Sequence, residues 1–167
     1  MNTDKAKQAQ QALVMALNNI GADPKKLPLL MRQAAHESAG FNSRVSSVNN
    51  LTGIKWSPKS AIKGEFDSGI RSPEGNNYSA FTDYNAWAKR YVQIINRGTK
   101  KPLEATTVQD FAARLKANGY FTSTLESYTN GLLSWGPQID KLAAPITVSA
   151  VVVLLIILTF LTLTYNG

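Results

Sequence analysis

Hydrophobic residues recur at steps of three and four along much of the chain, and this spacing is typical of amphipathic helices. One helix is predicted over residues 4–20, where Leu13, Leu17 and Ile20 share a face. A second is predicted over residues 27–40, with a proline in the first turn, where its missing N–H is tolerated. The chain therefore begins with a pair of helices.

Three more amphipathic helices are predicted in the second half of the chain. They cover residues 85–98, 107–119 and 123–135. Asn85 and Thr107 are the expected N-caps, because their side-chain oxygens can accept a hydrogen bond from an unpaired N–H group of the first turn. These segments make the predicted domain mainly α-helical.

Residues 41–78 lose the helical period and are rich in Ser, Asn, Gly and Pro. Short alternating pieces at residues 64–66 and 69–71 favour a small β-hairpin within an otherwise irregular segment. A long irregular stretch inside a compact domain is usually functional. We therefore expect this segment to contribute to a site.

Residues 146–165 carry no charge and contain neither Gly nor Pro. As a helix they would span ~30 Å, the thickness of the hydrocarbon core of a bilayer. The pair Gly136-Pro137 is expected to break the last soluble helix before this segment. The sequence thus predicts a domain at residues 1–140 and one C-terminal transmembrane anchor at residues 141–167, with a buried core helix as the alternative for the apolar stretch.

The formal charge of +7 lies entirely outside the apolar tail. A basic surface attracts anionic partners such as nucleic acid, anionic lipid or cell-wall polymer. The basic residues are scattered and no nucleic-acid-binding motif accompanies them, so nucleic acid is not an expected partner. The chain has no Cys and a single His, which excludes disulfides, thiolate chemistry and a His-rich metal site. Neither a metal nor a cofactor is expected.

Glu37 lies seven residues after Leu30 and three after Ala34, which places a carboxyl group on the apolar stripe of the second helix. A carboxyl group in that position faces the core or a cleft. Burial disfavours the charged form of a carboxyl group, and a protonated one can supply the proton that glycosidic bond cleavage needs. The alternative is that Glu37 turns to solvent at the helix end or pairs with Arg44.

Four sequence strings around and after Glu37 form a specific signal when they are taken in order. They are MRQAAHESAGF at residues 31–41, NNLTGIK at residues 49–55, FTDY at residues 81–84, and GYFT at residues 119–122 followed by Tyr128. Their order and approximate spacing resemble those of the bacterial endo-β-N-acetylglucosaminidases of glycoside hydrolase family 73. That family includes the glucosaminidase domains of autolysins and of the flagellar rod-assembly peptidoglycan hydrolase.

The resemblance implies a lysozyme-like α-helical domain with a small β-lobe across a cleft. It also implies hydrolysis of the β-1,4 bond between N-acetylglucosamine and N-acetylmuramic acid in peptidoglycan, with Glu37 matching the catalytic acid of the family. Two positions depart from the family pattern. Thr52 stands where the family has Phe, and His36 replaces an apolar residue.

The second catalytic acid of the family comes from the β-lobe, and Glu74 is our predicted counterpart because it precedes the FTDY string. Glu65 and Asp67 are its rivals. The second carboxylate would activate a water, although the acetamido group of the substrate can act as the nucleophile instead. The resemblance further implies that Tyr120 lines the cleft near Glu37 and positions the substrate.

Four residues are predicted to contact the substrate. Asn49 and Asn50 either hold their loop through side-chain-to-backbone hydrogen bonds or bind acetamido groups. Trp56 and Tyr84 could offer aromatic faces on which sugars stack. Trp87, at helical spacing, is expected in the core instead.

Two rival functions remain open from the sequence. Residues 37–42, ESAGFN, also fit the pattern of lytic transglycosylases, which act on the same substrate but release an anhydro sugar. The NLTGIK string favours the glucosaminidase, because transglycosylases usually continue with Gly-Leu-Met-Gln. A rival of another class is a non-catalytic, membrane-anchored structural or cell-wall-binding protein.

The location of the chain follows from its ends. The first residues are polar and lack the apolar stretch of a signal peptide, so the anchor at residues 146–165 is the expected lipid contact. The positive-inside tendency leaves the basic domain on the cytoplasmic side, away from peptidoglycan. We therefore expect a bacteriophage lytic enzyme that resides in a virion membrane or in the host inner membrane.

Overall fold

A computed structural model describes residues 1–143, and the predicted anchor at residues 146–165 lies outside the described residues. In chain order the helices and strands are α1 (Thr3–Asn19), α2 (Leu27–Glu37), β1 (Glu65–Arg71), β2 (Asn77–Phe81), α3 (Tyr84–Ile95), α4 (Val108–Ala117), α5 (Leu125–Ser134) and α6 (Gly136–Ala143). Short 3-10 turns lie at Pro24–Lys26, Arg44–Val48 and Pro102–Glu104. The prediction of a mainly α-helical domain with a small hairpin is confirmed.

The helices enclose a core in which aromatic side chains of α3 take a central place. Helix α1 packs against both α2 and α3. Trp87 and Tyr91 of α3 are fully buried and stack with their ring centroids 5.3 Å apart. Each large apolar side chain that leaves water in this way stabilises the fold by about 1.5–3 kcal/mol. The core position predicted for Trp87 is confirmed.

The β-lobe is a two-stranded antiparallel hairpin. Glu65 of β1 faces Phe81 of β2, and the register shifts between Asp67 and Arg71. An isolated antiparallel bridge joins Lys55 to Tyr78, so the segment before the hairpin runs alongside β2. The end of the NNLTGIK string is therefore paired with strand β2 of the hairpin.

The helix boundaries confirm one predicted cap and correct another. Thr107 caps α4 by accepting a hydrogen bond from the Asp110 N–H at 3.1 Å, as predicted. The N-cap of α3 is Asp83 and not Asn85, because the Asp83 carboxylate accepts from the Ala86 N–H at 2.8 Å. A charged oxygen also suits the positive end of the helix dipole.

Helix α6 was not predicted. Gly136-Pro137 does interrupt the helical chain after α5, but it also starts a new helix, with Pro137 in the first turn. Ile139 is buried in the core, and Asp140 pairs with Arg32 of α2 at 2.9 Å. No helix within residues 1–143 is long and apolar enough to cross a membrane.

Candidate active site

Helix α2 ends at Glu37, and the local sequence explains why it ends there. The Ser38 hydroxyl donates to the Ala34 carbonyl at 2.6 Å and accepts from the Phe41 N–H at 2.8 Å, which closes the last turn. Gly40 then takes a left-handed conformation with φ of 71°, and a Cβ there would lie 2.8 Å from the Trp135 ring. The chain turns sharply away and leaves the Glu37 side chain at the helix end.

Glu37 is exposed and lines a cleft, which is one of the two positions expected for its side chain, and it does not face the core. Because α2 ends at this residue, no further turn covers the side chain. Its Oε1 accepts hydrogen bonds from the Tyr128 hydroxyl at 2.9 Å and from Gln33 Nε2 at 3.0 Å. Glu37 is therefore anchored through one oxygen at the edge of the core, and it does not pair with Arg44.

Gln33 is a site residue that the sequence reasoning missed. It is fully buried one turn before Glu37, and its amide nitrogen also lies 2.9 Å from the Tyr120 hydroxyl and 3.1 Å from the Tyr128 hydroxyl. Its amide oxygen accepts a hydrogen bond from the Tyr91 hydroxyl. A glutamine among the apolar positions of α2, four residues before a candidate acid, was the available signal.

An open cleft of about 420 Å³ adjoins this network. Glu37 and Tyr120 both line it, together with Thr52, Gly53 and Ile54. Burial and the nearby Glu37 charge raise the pKa of Tyr120, so its phenol stays protonated near neutral pH. The structure thus brings the predicted pair Glu37 and Tyr120 to one cleft.

Tyr128 is the other phenol in contact with the candidate acid. Burial and the Glu37 charge raise its pKa, which keeps it a hydrogen-bond donor. Its ring stacks on Phe121 with centroids 3.7 Å apart, and His36 meets it edge to face. The substitution of His36 for an apolar residue therefore supports the ring that orients Glu37.

Three cations also line the cleft, and two of them have acidic partners. Lys55 pairs with Glu74 at 2.8 Å, and Arg90 pairs with Glu65 at 3.2 Å. Arg97 is exposed and forms no ion pair with any carboxylate of residues 1–143. Within residues 1–143, the Arg97 guanidinium is therefore the one cleft cation that has no carboxylate partner.

The three candidates for a second acid occupy different surroundings. The buried Glu65 carboxylate accepts from the Ser79 hydroxyl at 2.7 Å and from the Ile62 N–H at 3.1 Å, besides pairing with Arg90. Asp67 binds the Gly69 N–H and the Asn77 amide within the hairpin. These contacts hold both carboxylates in the β-lobe framework.

Glu74 lies in the turn between β1 and β2 and is largely exposed. Its hydrogen bond with Lys55, aided by the Glu74 backbone N–H, lowers the pKa of Glu74 from 4.5 to about 2. The Glu74 carboxylate is thus charged over the whole physiological range. Its partner Lys55 is one of the residues that line the cleft. None of the three candidate carboxylates lines the cleft with Glu37, and Glu74 is linked to the cleft through its contact with Lys55.

Asn49 and Asn50 hold their loop. Asn49 adopts a left-handed conformation and donates to the Phe81 carbonyl at 2.9 Å. Asn50 is fully buried; its amide donates to the Ile54 and Ser79 carbonyls and accepts from the Ile54 N–H. The buried side chain of Asn50 makes all of these hydrogen bonds with the backbone. Asn50 therefore has the structural role of holding the loop, and this corrects its predicted contact with the substrate.

The predicted aromatic platforms lie outside the set of residues that line the cleft with Glu37. Trp56 is half-buried next to Lys55, and its N–H donates to the Asn77 carbonyl. Tyr84 is half-buried and meets Trp87 edge to face, with ring centroids 6.5 Å apart. Thr52 accepts a hydrogen bond from the Trp87 indole at 3.1 Å.

No group of three His, Asp or Glu residues within residues 1–143 is placed to hold a metal ion. The side chains around the polar cleft include a carboxylate, a phenol and three cations.

The fold is similar to that of several solved structures, among them a glycoside hydrolase domain and a peptidoglycan hydrolase. The glycoside hydrolase domain of FlgJ from Salmonella typhimurium matches with a TM-score of 0.62 and 20% identity, over 86% of this chain and 91% of that one. A peptidoglycan hydrolase from Sphingomonas sp. A1 matches with a TM-score of 0.64 and 17% identity, over 84% and 92%. The chain has a lysozyme-like fold.

A third structure extends the comparison. The catalytic domain of the autolysin Auto from Listeria monocytogenes matches with a TM-score of 0.55 and 18% identity, over 83% of this chain and 85% of that one. No family model matches the sequence, and no curated protein matches it significantly. The predicted lysozyme-like fold is confirmed by three-dimensional structure alone, since identities at this level do not reveal it.

Proposed function

We propose that this chain is a peptidoglycan hydrolase that cleaves the β-1,4 bond between N-acetylglucosamine and N-acetylmuramic acid. The observation that carries the proposal is Glu37 at the wall of an open cleft, hydrogen-bonded by Tyr128 and Gln33 through one oxygen. Three solved structures with a similar fold are described as a glycoside hydrolase domain, a peptidoglycan hydrolase and the catalytic domain of an autolysin. An exposed carboxyl group at a glycan-sized cleft suits this chemistry.

The proposed reaction needs one acid and one base. Glu37 donates its proton to the glycosidic oxygen, and the bond from that oxygen to C1 of the sugar breaks, with the electron pair remaining on oxygen. Water adds to the resulting oxocarbenium carbon and gives its proton to a carboxylate. The products are a new reducing end and a free hydroxyl group, and no redox partner is required.

Glu74 is the proposed base. Its carboxylate is ionised well below neutral pH because Lys55 holds its pKa at about 2, so it cannot act as the acid. It sits at a hairpin tip that faces solvent, whereas Glu65 and Asp67 hold framework hydrogen bonds. A carboxylate on the β-lobe would approach the sugar from the side opposite to Glu37.

The cationic wall of the cleft favours an acidic glycan. Peptidoglycan carries carboxylates on its peptide stems, and an arginine binds a carboxylate through two parallel hydrogen bonds. Arg97 lines the cleft together with Glu37 and Tyr120. We assign it to such a carboxylate, so that peptidoglycan is preferred over a neutral polymer of N-acetylglucosamine.

The test is digestion of purified peptidoglycan by wild type and by Glu37→Gln, with mass spectrometry of borohydride-reduced products. The hydrolase yields N-acetylglucosamine at the reducing end, and Glu37→Gln loses at least ~100-fold in rate, since it cannot donate the proton. Glu126→Gln, at an exposed position of α5 outside the cleft, serves as the control for loss of a carboxylate. An anhydro-muramic product would instead establish the transglycosylase, and equal turbidity clearing by Glu37→Gln would establish the non-catalytic module.

A further inference from the structure

The oxygen and the nitrogen of the fully buried Gln33 side-chain amide contact different groups. On its oxygen side lies the hydroxyl of Tyr91, which is itself fully buried and stacked on Trp87. On its nitrogen side lie Glu37 Oε1 and the hydroxyls of Tyr120 and Tyr128, all within 3.1 Å. A buried amide that met these groups in the reverse orientation would face its oxygen toward a carboxylate, at a large cost.

Tyr91 determines the orientation of that amide. Burial, and then the neighbouring Tyr120, Tyr128 and Glu37, raise the pKa of Tyr91 well above its usual value, so the phenol keeps its proton. Its O–H lies near the Leu30 carbonyl at 3.1 Å and donates to the Gln33 amide oxygen. The amide nitrogen of Gln33 is thereby directed at Glu37.

The two oxygens of Glu37 differ as a result. Oε1 receives donors from Gln33 and Tyr128, whereas no side chain within residues 1–143 donates to Oε2. A proton on the carboxyl group avoids an oxygen that already accepts two hydrogen bonds. The geometry points to Gln33 and Tyr91 as positioning residues that place the catalytic proton of Glu37 on Oε2, on the cleft side.

This inference rests on the proposed function for its catalytic consequence and goes beyond it by naming two residues that touch no substrate. In the proposed reaction, the proton on Oε2 moves to the glycosidic oxygen, and the charge that remains on Glu37 is stabilised by the two donors already at Oε1. The donors need not reorganise during the step. The network therefore acts on kcat more than on KM.

Tyr91→Phe is the mildest test, because it keeps the ring and its stacking on Trp87. Without the hydroxyl, either end of the Gln33 amide can face Glu37, and we expect kcat to fall by ~10- to 100-fold with KM changed less than about 2-fold. Leu13→Ala, which removes buried packing in α1, is the control for lost stability. If Leu13→Ala lowers kcat as much at an equal loss of Tm, the positioning role is overturned.

Gln33→Glu adds a readout that a purely structural role would not move. The new carboxyl group still accepts from Tyr91, but it donates to Glu37 only when it is protonated. We expect its activity to recover as pH falls, so that the pH optimum moves to a more acidic value, while Gln33→Leu is impaired at every pH. An unchanged pH optimum for Gln33→Glu would contradict the inference.

A third measurement is independent of activity. In the NMR spectrum of wild type, the side-chain NH2 protons of Gln33 should show nuclear Overhauser contacts to the rings of Tyr120 and Tyr128, and these contacts should weaken in Tyr91→Phe. Their absence in wild type overturns the orientation. If they are present but wild type cleaves no glycan, the proposed function fails while the orientation of the amide stands.

Discussion

At the scale of single residues, the site depends on which polar groups meet in three dimensions. Tyr120 and Tyr128 are far from Glu37 in the chain. All three residues nevertheless contact the side-chain nitrogen of Gln33. Glu37 could be selected from its helical position and the strings around it. Its exposure and its two donors could not, because they depend on where α2 ends and on the position of α5.

The pair between Lys55 and Glu74 leads to a prediction on pH. Glu74 has a lowered pKa in the folded chain, so the pair stabilises the fold above pH 4.5, the usual value, and this contribution is lost as pH falls through about 2. In Lys55→Met, the titration midpoint of the Glu74 carboxyl group should return toward 4.5. A carbon-13 NMR titration measures it, and an unchanged midpoint would show that Lys55 is not the cause.

Arg97 leads to a prediction on specificity. Arg97→Gln should raise KM for peptidoglycan by up to ~5-fold, the effect of one exposed charge pair, and leave KM for neutral N-acetylglucosamine oligomers unchanged. Lys89→Gln removes an equal charge from an exposed position of α3, the helix that precedes Arg97, outside this cleft, and should leave both values unchanged. Equal effects of the two substitutions would point to net charge instead of a specific contact.

At the scale of secondary structure, the elements followed from local sequence where caps and periodicity were strong. The hairpin and five of the helices were predicted, and Thr107 caps α4 as expected. Asp83 was missed as the cap of α3 because Asn85, two residues later, carries a similar side-chain oxygen. Helix α6 was missed because Gly136-Pro137 was read only as a break, whereas Pro137 also suits a first helical turn.

Asn50 links the loop to the β-lobe, and its substitution tests that role. Asn50→Ala leaves two buried backbone carbonyls without their donor, so we expect the free energy of unfolding to drop by about 2–3 kcal/mol. Urea denaturation measures the change, with the exposed Asn42→Ala as a control expected within about 0.5 kcal/mol of wild type. A stable Asn50→Ala protein with a raised KM would restore the predicted role in substrate binding.

At the scale of the whole molecule, we propose that the basic lysozyme-like domain is tethered to a lipid membrane by residues 146–165. The uncharged, apolar composition of that segment supports the proposal. A membrane-tethered lytic enzyme would suit a phage that meets peptidoglycan from a virion membrane, or from the host inner membrane at lysis. Detection of the chain in purified virions tests this setting.

The anchor can be tested in the full-length chain with liposomes. Wild type should float with the vesicles in a density gradient. Leu155→Arg in the middle of the segment should reduce this association, because an arginine there costs about 2.5–3.5 kcal/mol. Asn166→Arg adds the same charge outside the segment and should float like wild type. Flotation of the Leu155→Arg chain at the wild-type level would exclude insertion.

The sequence by itself determined the helical class, the hairpin and the identity of the candidate acid, because periodicity, caps and short strings are local properties. It also marked an apolar tail that the described structure does not include. Only the tertiary structure decided that Glu37 is exposed at a cleft and that Asn50 is buried in the framework. It also brought Tyr91 and Tyr128 into one hydrogen-bonded network with Gln33 and Glu37, because these contacts join residues that lie far apart in the chain.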